Sequence, residues 1–212
     1  MVMTGRFISF EGGEGSGKST QSKLLCDALA KNGVAHQATR EPGGSAGAEK
    51  IRSLLVSGDV DSWDAETETL LFYAARMDHV KHVIRPALAQ GKHVVCDRFA
   101  DSTRVYQGVG KDVAAQYIQM LHRMTVGNFM PDLTLIFDID PEEGLKRAAS
   151  RSGNETRFES MDLDFHHRIR AGFLAIAQEE PARCVVLNAA QDKAALHKQV
   201  VELVTNRFGI LN

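Results

Sequence analysis

Residues 10–20 read FEGGEGSGKST, and the segment GGEGSGKS (12–19) within them fits the pattern G-x-x-x-x-G-K-[ST]. The apolar run FISF (7–10) ahead of it has the makings of a buried strand, and residues 19–31 behind it show a helical pattern. In that setting a glycine-rich loop lets backbone amides close around phosphate oxygens. The loop comprises Gly12, Gly13, Gly15, Ser16, Gly17, Lys18, Ser19 and Thr20. Lys18 suits the terminal phosphates of a nucleoside triphosphate, and the Ser19 hydroxyl suits Mg²⁺. A glycine-rich turn with a capping serine is the plainer alternative. Glu14 is the odd member. Near a helix N-terminus it gains about 0.3–1 kcal/mol from the macrodipole. A carboxylate about 6 Å from one phosphate charge loses about 3 kcal/mol at an effective dielectric near 20. Repulsion wins, so Glu14 is expected to turn from the triphosphate toward a second substrate that can donate a hydroxyl.

Outward from the loop, HVVC (93–96), LTLIF (133–137) and CVVL (184–187) also have the length and residue types of strands buried on both faces, with VAHQAT (34–39) a weaker fifth. Helical patterns occupy 48–56, 65–90, 113–126, 142–149, 163–178 and 193–208. Alternation of this kind implies an α/β fold, a parallel sheet with helices on both faces. No repeat or linker divides the 212 residues, so one domain over 1–212 is expected. The polar, turn-prone SRSGNETRFES (150–160) is a candidate lid.

A net charge of −2 argues against a nucleic-acid binder. The three cysteines, Cys26, Cys96 and Cys184, are far apart and odd in number, which favours buried free thiols and a reducing cytoplasm. No CxxC or HExxH signals structural zinc. No apolar run approaches the roughly 20 residues that span a bilayer, and the first residues lack the pattern of a secretory signal. A guanine-reading NKxD, which a GTPase switch would need, is absent.

Candidate residues for a second substrate follow the strands. Arg40, in TREPGG (39–44), can hold an acceptor phosphate with its planar fork or form a surface salt bridge. Arg52 lies on an amphipathic helix, where ion pairing and ligand contact are equally open. Phe72 and Arg76 share a helix face, so an aromatic plane could stack on a base while the guanidinium bonds its edge; a core Phe beside a snorkelling Arg is the alternative. Asp78, His79 and His82 fit a solvated helix face better than a metal cluster. Asp97 and Arg98 end a strand, where Asp97 fits a Walker-B-like position acting on Mg²⁺, although LTLIFDID delivers Asp138 similarly. Thr103 and Gln107 share a face if their segment is helical, and an amide offers both donor and acceptor to a pyrimidine.

Together FEGGEGSGKST, TREPGG, LFYAAR (71–76) and CDRFADSTRVYQG (96–108) resemble the bacterial thymidylate kinases over nearly the whole chain. The resemblance implies a P-loop nucleoside monophosphate kinase fold, with a five-stranded parallel sheet flanked by helices and a short lid. It implies transfer of the γ-phosphoryl group of ATP to dTMP, with Mg²⁺ as cofactor, supplying dTTP synthesis. It also implies a cytoplasmic homodimer with no nucleic-acid or membrane partner. By the same resemblance Glu14 contacts the 3′-hydroxyl side of the acceptor sugar, Arg40 and Arg98 contact its phosphate, and Arg52 is another arginine of the pocket. Phe72 stacks on thymine, Arg76 binds O4, and Thr103 and Gln107 complete the base contacts. Tyr106 crowds the ribose 2′ position, and Asp97 is the acid near Mg²⁺. Some relatives carry an arginine in the loop where this chain has Gly15. This chain resembles the other type, whose catalytic arginines come from the lid: here Arg147, Arg151 and Arg157, with Arg151 bridging the transferring group.

Overall fold

A computed structural model describes residues 5–56, 62–150 and 157–211. Five parallel strands form one sheet in the order β2-β3-β1-β4-β5: β1 (Phe7–Gly12), β2 (His36–Arg40), β3 (His93–Asp97), β4 (Leu133–Asp138) and β5 (Cys184–Asn188). Around it lie α1 (Lys18–Lys31), α2 (Ala46–Val56), α3 (Ala65–His79), α4 (Arg85–Ala89), α5 (Ala100–Thr103), α6 (Ala115–Val126), α7 (Pro141–Ala149), α8 (Leu163–Glu179) and α9 (Lys193–Phe208).

The central strand β1 is buried throughout, and its side chains alternate between two apolar layers. Ile8 and Phe10 join Leu25 and Leu29 of α1 and Val200 and Val204 of α9 on one face. Phe7 joins Val80, Ile84 and Val126 on the other, where it meets Phe99 edge-on at 4.9 Å. Ser9 and Glu11 share the Phe7 side, and their polar atoms are satisfied there, Ser9 by Thr134 at 2.8 Å.

Two differences from the sequence expectations have physical reasons. β2 and β5 are the sheet edges, so CVVL is not covered on both faces and Val186 is 41 % exposed. The helix expected over 65–90 is interrupted by a π-helical stretch at Val80–Ile84, just before Pro86. In a regular helix the Pro86 ring would strike the carbonyl of His82, and a wider turn relieves that clash. A second π-helical stretch, Arg104–Val109, continues α5. No helix of the described residues is long and apolar enough to cross a membrane. All three cysteines are buried and free.

Candidate active site

Open parallel sheets bind ligands beyond the carboxyl ends of their strands, and here β1, β2 and β3 end around a single cavity. At the end of β1 the chain turns through Gly17 at φ +91°, the residue that caps α1. Lys18 opens that helix, and its ammonium folds back onto its own loop, 2.6 Å from the Gly13 carbonyl and 3.2 Å from Ser16 Oγ. Burial, with the nearby Arg98 charge, lowers the Lys18 pKa to about 8. Gly15, at φ +66°, lies against α7 backbone to backbone: a Cβ there would fall 1.8 Å from the Gly144 carbonyl oxygen. Thr20 is exposed on α1 and does not line the cavity.

The two aspartates that the strand pattern alone leaves competing have different partners in the structure. Ser19 Oγ donates to Asp97 Oδ2 at the end of β3. Asp138 is instead held by Arg170 of α8 through two bonds of 2.6 and 2.9 Å. Arg98 follows Asp97 at φ +71°, a sparsely populated conformation for a residue with a side chain. Its guanidinium donates to Glu14 Oε1 at 2.8 Å and to the Tyr106 hydroxyl at 3.2 Å, and lies 4.9 Å from the Tyr106 ring centre. Tyr106 in turn donates to Glu14 Oε1 at 2.7 Å. Burial opposes ionisation of Glu14, but Arg98, Lys18 and the Tyr106 hydroxyl outweigh it and hold its pKa at about 2.

Phe72 and Arg76 of α3 line the same cavity. Arg76 is 2 % exposed; Nε donates to Glu41 Oε2 at 2.7 Å, and Nη2 to Thr103 Oγ1 at 3.0 Å and the Phe99 carbonyl at 3.2 Å. Its buried Nη1 has no hydrogen-bond partner among the described residues. Glu41 also accepts from His79, whose other ring nitrogen meets Thr39 Oγ1 at 2.6 Å. His79 is therefore buried, not part of a solvated face, whereas Asp78 and His82 do remain outside. Gln107 lies in the π-helical stretch, and its wider turn keeps Gln107 lining the same cavity as Thr103. Gln107 Nε2 donates to the fully buried Glu68 at 2.8 Å.

The remaining arginines differ in placement. Arg40 reaches exposed Glu49 at 3.2 Å on the cavity rim, and Arg52 donates to the Pro42 carbonyl at 2.5 Å while lining the cavity. Arg147 is not brought to this cavity; it bonds Glu143 at 2.5 Å and the Ala189 carbonyl at 2.9 Å beyond β5. Arg157 is buried against Glu68 at 2.7 Å. Arg151 and most of the candidate lid lie outside the described residues.

Sequence reasoning missed Glu11, Glu41, Glu68, Ser102 and Phe158. Glu11 accepts from the Phe99 amide at 2.7 Å and from Ser102 at 2.6 Å, fixing the turn that carries Arg98; burial and Asp101 push its pKa up to about 8. Phe158 packs edge-on against Tyr106 at 5.5 Å. Glu68 had a readable signal: it precedes Phe72 by four residues and Arg76 by eight, on the same helix face.

Comparison with known proteins bears on this geometry. A family model described as thymidylate kinase matches residues 10–200. The thymidylate kinase of Caulobacter vibrioides is 54 % identical over 206 residues, covering 97 % of this chain and 99 % of the relative. That of Ruegeria pomeroyi is 50 % identical over 204 residues, 96 % of each chain. The crystal structure of thymidylate kinase from Ehrlichia chaffeensis superposes with a TM-score of 0.75 at 36 % identity, over 95 % of this chain and 99 % of that one.

Proposed function

The chain belongs to the thymidylate kinase family and phosphorylates dTMP to dTDP with ATP; from that premise we propose that the cavity beside the phosphate loop is its dTMP site. The observation that carries this assignment is the buried Nη1 of Arg76, which has no hydrogen-bond partner among the described residues, on a side chain that lines the cavity with Phe72 and Gln107. A buried donor without an acceptor costs about 1–3 kcal/mol, and the O4 edge of a thymine stacked on Phe72 supplies what it lacks. The Glu14 carboxylate faces the acceptor sugar. Tyr106 closes the space a 2′-hydroxyl would need.

Phosphoryl transfer asks a protein chiefly to position two anions and to stabilise charge on the moving group. An oxygen of the dTMP phosphate attacks the γ-phosphorus in line as the bond to ADP breaks. Arg98, with Arg40 and Arg52 at the rim, holds the acceptor phosphate against the repulsion of the triphosphate. Lys18 leaves the Gly13 carbonyl for the β- and γ-oxygens, cradled by the loop amides from Gly12 to Thr20. Arg151 stabilises the transferring group, and Arg147, anchored beyond β5, acts from the donor side. The segment 150–160 closes over the site and excludes water within a single domain of 212 residues. Hard oxygen donors suit Mg²⁺, which keeps several waters and needs few protein ligands, and the paired Ser19 hydroxyl and Asp97 carboxylate fit it. Bound there, the ion neutralises charge on the phosphate oxygens.

The chain works as a homodimer. Leu70 and Met77 of α3 and Met120 and Met124 of α6 are 46–75 % exposed on two packed helices, an apolar face that a second copy would cover. Three buried free thiols suit a reducing cytoplasm.

Coupled ADP release tests the site with Mg-ATP and dTMP, dUMP, ribose TMP, dCMP, AMP or no acceptor. Strong turnover with dTMP, weaker with dUMP and almost none with the rest is expected. A preference for another acceptor would overturn the pocket assignment, and release indifferent to acceptor would overturn the second site. Arg151→Ala is expected to lower kcat far more than it changes the KM for dTMP; comparable kcat would remove Arg151 from the transfer step.

A further inference from the structure

Arg76 can only donate hydrogen bonds, whichever way it turns. Gln107 is different: its amide can present either a carbonyl or an NH₂ group to a base, and the two choices select opposite pyrimidines. What decides is Glu68, in the first turn of α3. It is 0 % exposed, and its carboxylate accepts from three donors: Gln107 Nε2 at 2.8 Å, Lys111 Nζ at 3.0 Å and Arg157 Nη1 at 2.7 Å.

We propose that Glu68 is a positioning residue that sets pyrimidine specificity by fixing the polarity of the Gln107 amide. An ionised carboxylate has no proton to give, so the amide nitrogen must face Glu68 and the carbonyl oxygen is left for the cavity that Gln107 lines. That oxygen accepts from the N3–H of thymine or uracil. Cytosine offers a lone pair at N3 and an amino group at C4, so it sets acceptor against acceptor at Gln107 and donor against donor at Arg76.

Lys111 and Arg157 are the two cations paired with Glu68 in the interior, and with Gln107 they surround its carboxylate with donors. Arg157 also donates to the Leu55 carbonyl at 3.0 Å, which ties the far end of the 150–160 segment and the end of α2 to the same carboxylate. Its guanidinium is thus engaged with Glu68 and Leu55.

This inference rests on the assignment of the cavity to dTMP, and the test separates the two. The ratio of kcat/KM for dTMP to that for dCMP is measured in the unaltered protein, Gln107→Leu, Glu68→Gln and Glu68→Asp, with melting temperature alongside. Glu68→Asp keeps the charge that Lys111 and Arg157 require but draws the carboxylate back from Gln107, so it serves if Glu68→Gln does not fold. A freed amide that can turn is expected to lower the ratio at least about tenfold in Glu68→Gln, the scale of one mismatched buried hydrogen bond, with a smaller loss in Glu68→Asp. A purely structural role would depress both acceptors alike and leave the ratio unchanged. If Gln107→Leu lowers the ratio and neither folded Glu68 variant does, the role of Glu68 is refuted while the dTMP site stands. If Gln107→Leu also leaves it unmoved, Gln107 does not read the base and the inference falls, while the acceptor panel still decides the dTMP site.

Discussion

Replacing Gly15 by alanine tests how the phosphate loop is held. The added Cβ would lie 1.8 Å from the Gly144 carbonyl oxygen, and the nearest approach such an atom makes is 3.0 Å, so loop and helix must part by 1.2 Å. Nothing soft is available to yield. The obstructing atoms are backbone of α7, and Gly144 itself sits so close that its own Cβ would meet the Glu14 carbonyl at 2.5 Å. Alanine at φ +66° costs a further about 1 kcal/mol. With about 1–3 kcal/mol for the overpacking, the sum is roughly 2–4 kcal/mol, or a fall of about 5–15 °C in Tm for a chain of this size. A displacement near 1 Å at the phosphates should lower kcat about 100-fold. Thermal unfolding followed by circular dichroism and the coupled ADP assay read the two effects. A variant melting within about 2 °C of the unaltered protein, at similar kcat, would refute the close approach. The same obstruction bars any side chain at position 15 while α7 stays where it is.

Other outcomes follow from the charges and faces of the molecule. Lys18 is cationic in the empty site only below about pH 8, and bound phosphates raise its pKa again, so ATP binding above that pH must take up a proton. Calorimetry at pH 8.5 in buffers of different ionisation enthalpy should register that uptake, and its absence would exclude Lys18 as the titrating group. Phe72→Ala removes the stacking plane, worth about 1–3 kcal/mol per base, and should raise the KM for dTMP roughly 10- to 100-fold while sparing that for ATP; a parallel change in both would deny Phe72 a base contact. Placing two charges on the apolar face with Met120→Glu and Met124→Glu should yield monomers by light scattering, and an unchanged mass would move the dimer interface elsewhere.

Much of this architecture is legible in the sequence because local chemistry dictates it. The phosphate loop needs glycine at left-handed positions and a lysine and serine at the helix start, and no tertiary context alters that need. Edge strand β2 is faint because its side chains are half solvated, so VAHQAT lacks a continuous apolar run. The two π-helical stretches are invisible to a search for a 3.6-residue period. Glu41 and Glu68 escape notice for another reason. A lone carboxylate reads as surface, and its burial becomes intelligible only when Arg76, His79, Lys111 and Arg157 arrive from elsewhere in the chain. Choosing Asp97 over Asp138 likewise depends on Arg170, which is 32 residues beyond Asp138.

The buried thiols have a practical consequence for following the enzyme in motion. Burial raises Cys26 to about 11 and Cys184 to about 12, and lifts Cys96 well above the ordinary range, so none of them forms an accessible thiolate at neutral pH. The described surface thus presents no native thiolate to maleimide dyes. A single cysteine introduced within 150–160 would take one fluorophore at one known position, and paired with a second dye on α9 it would test the closure proposed for that segment, in a protein otherwise unaltered.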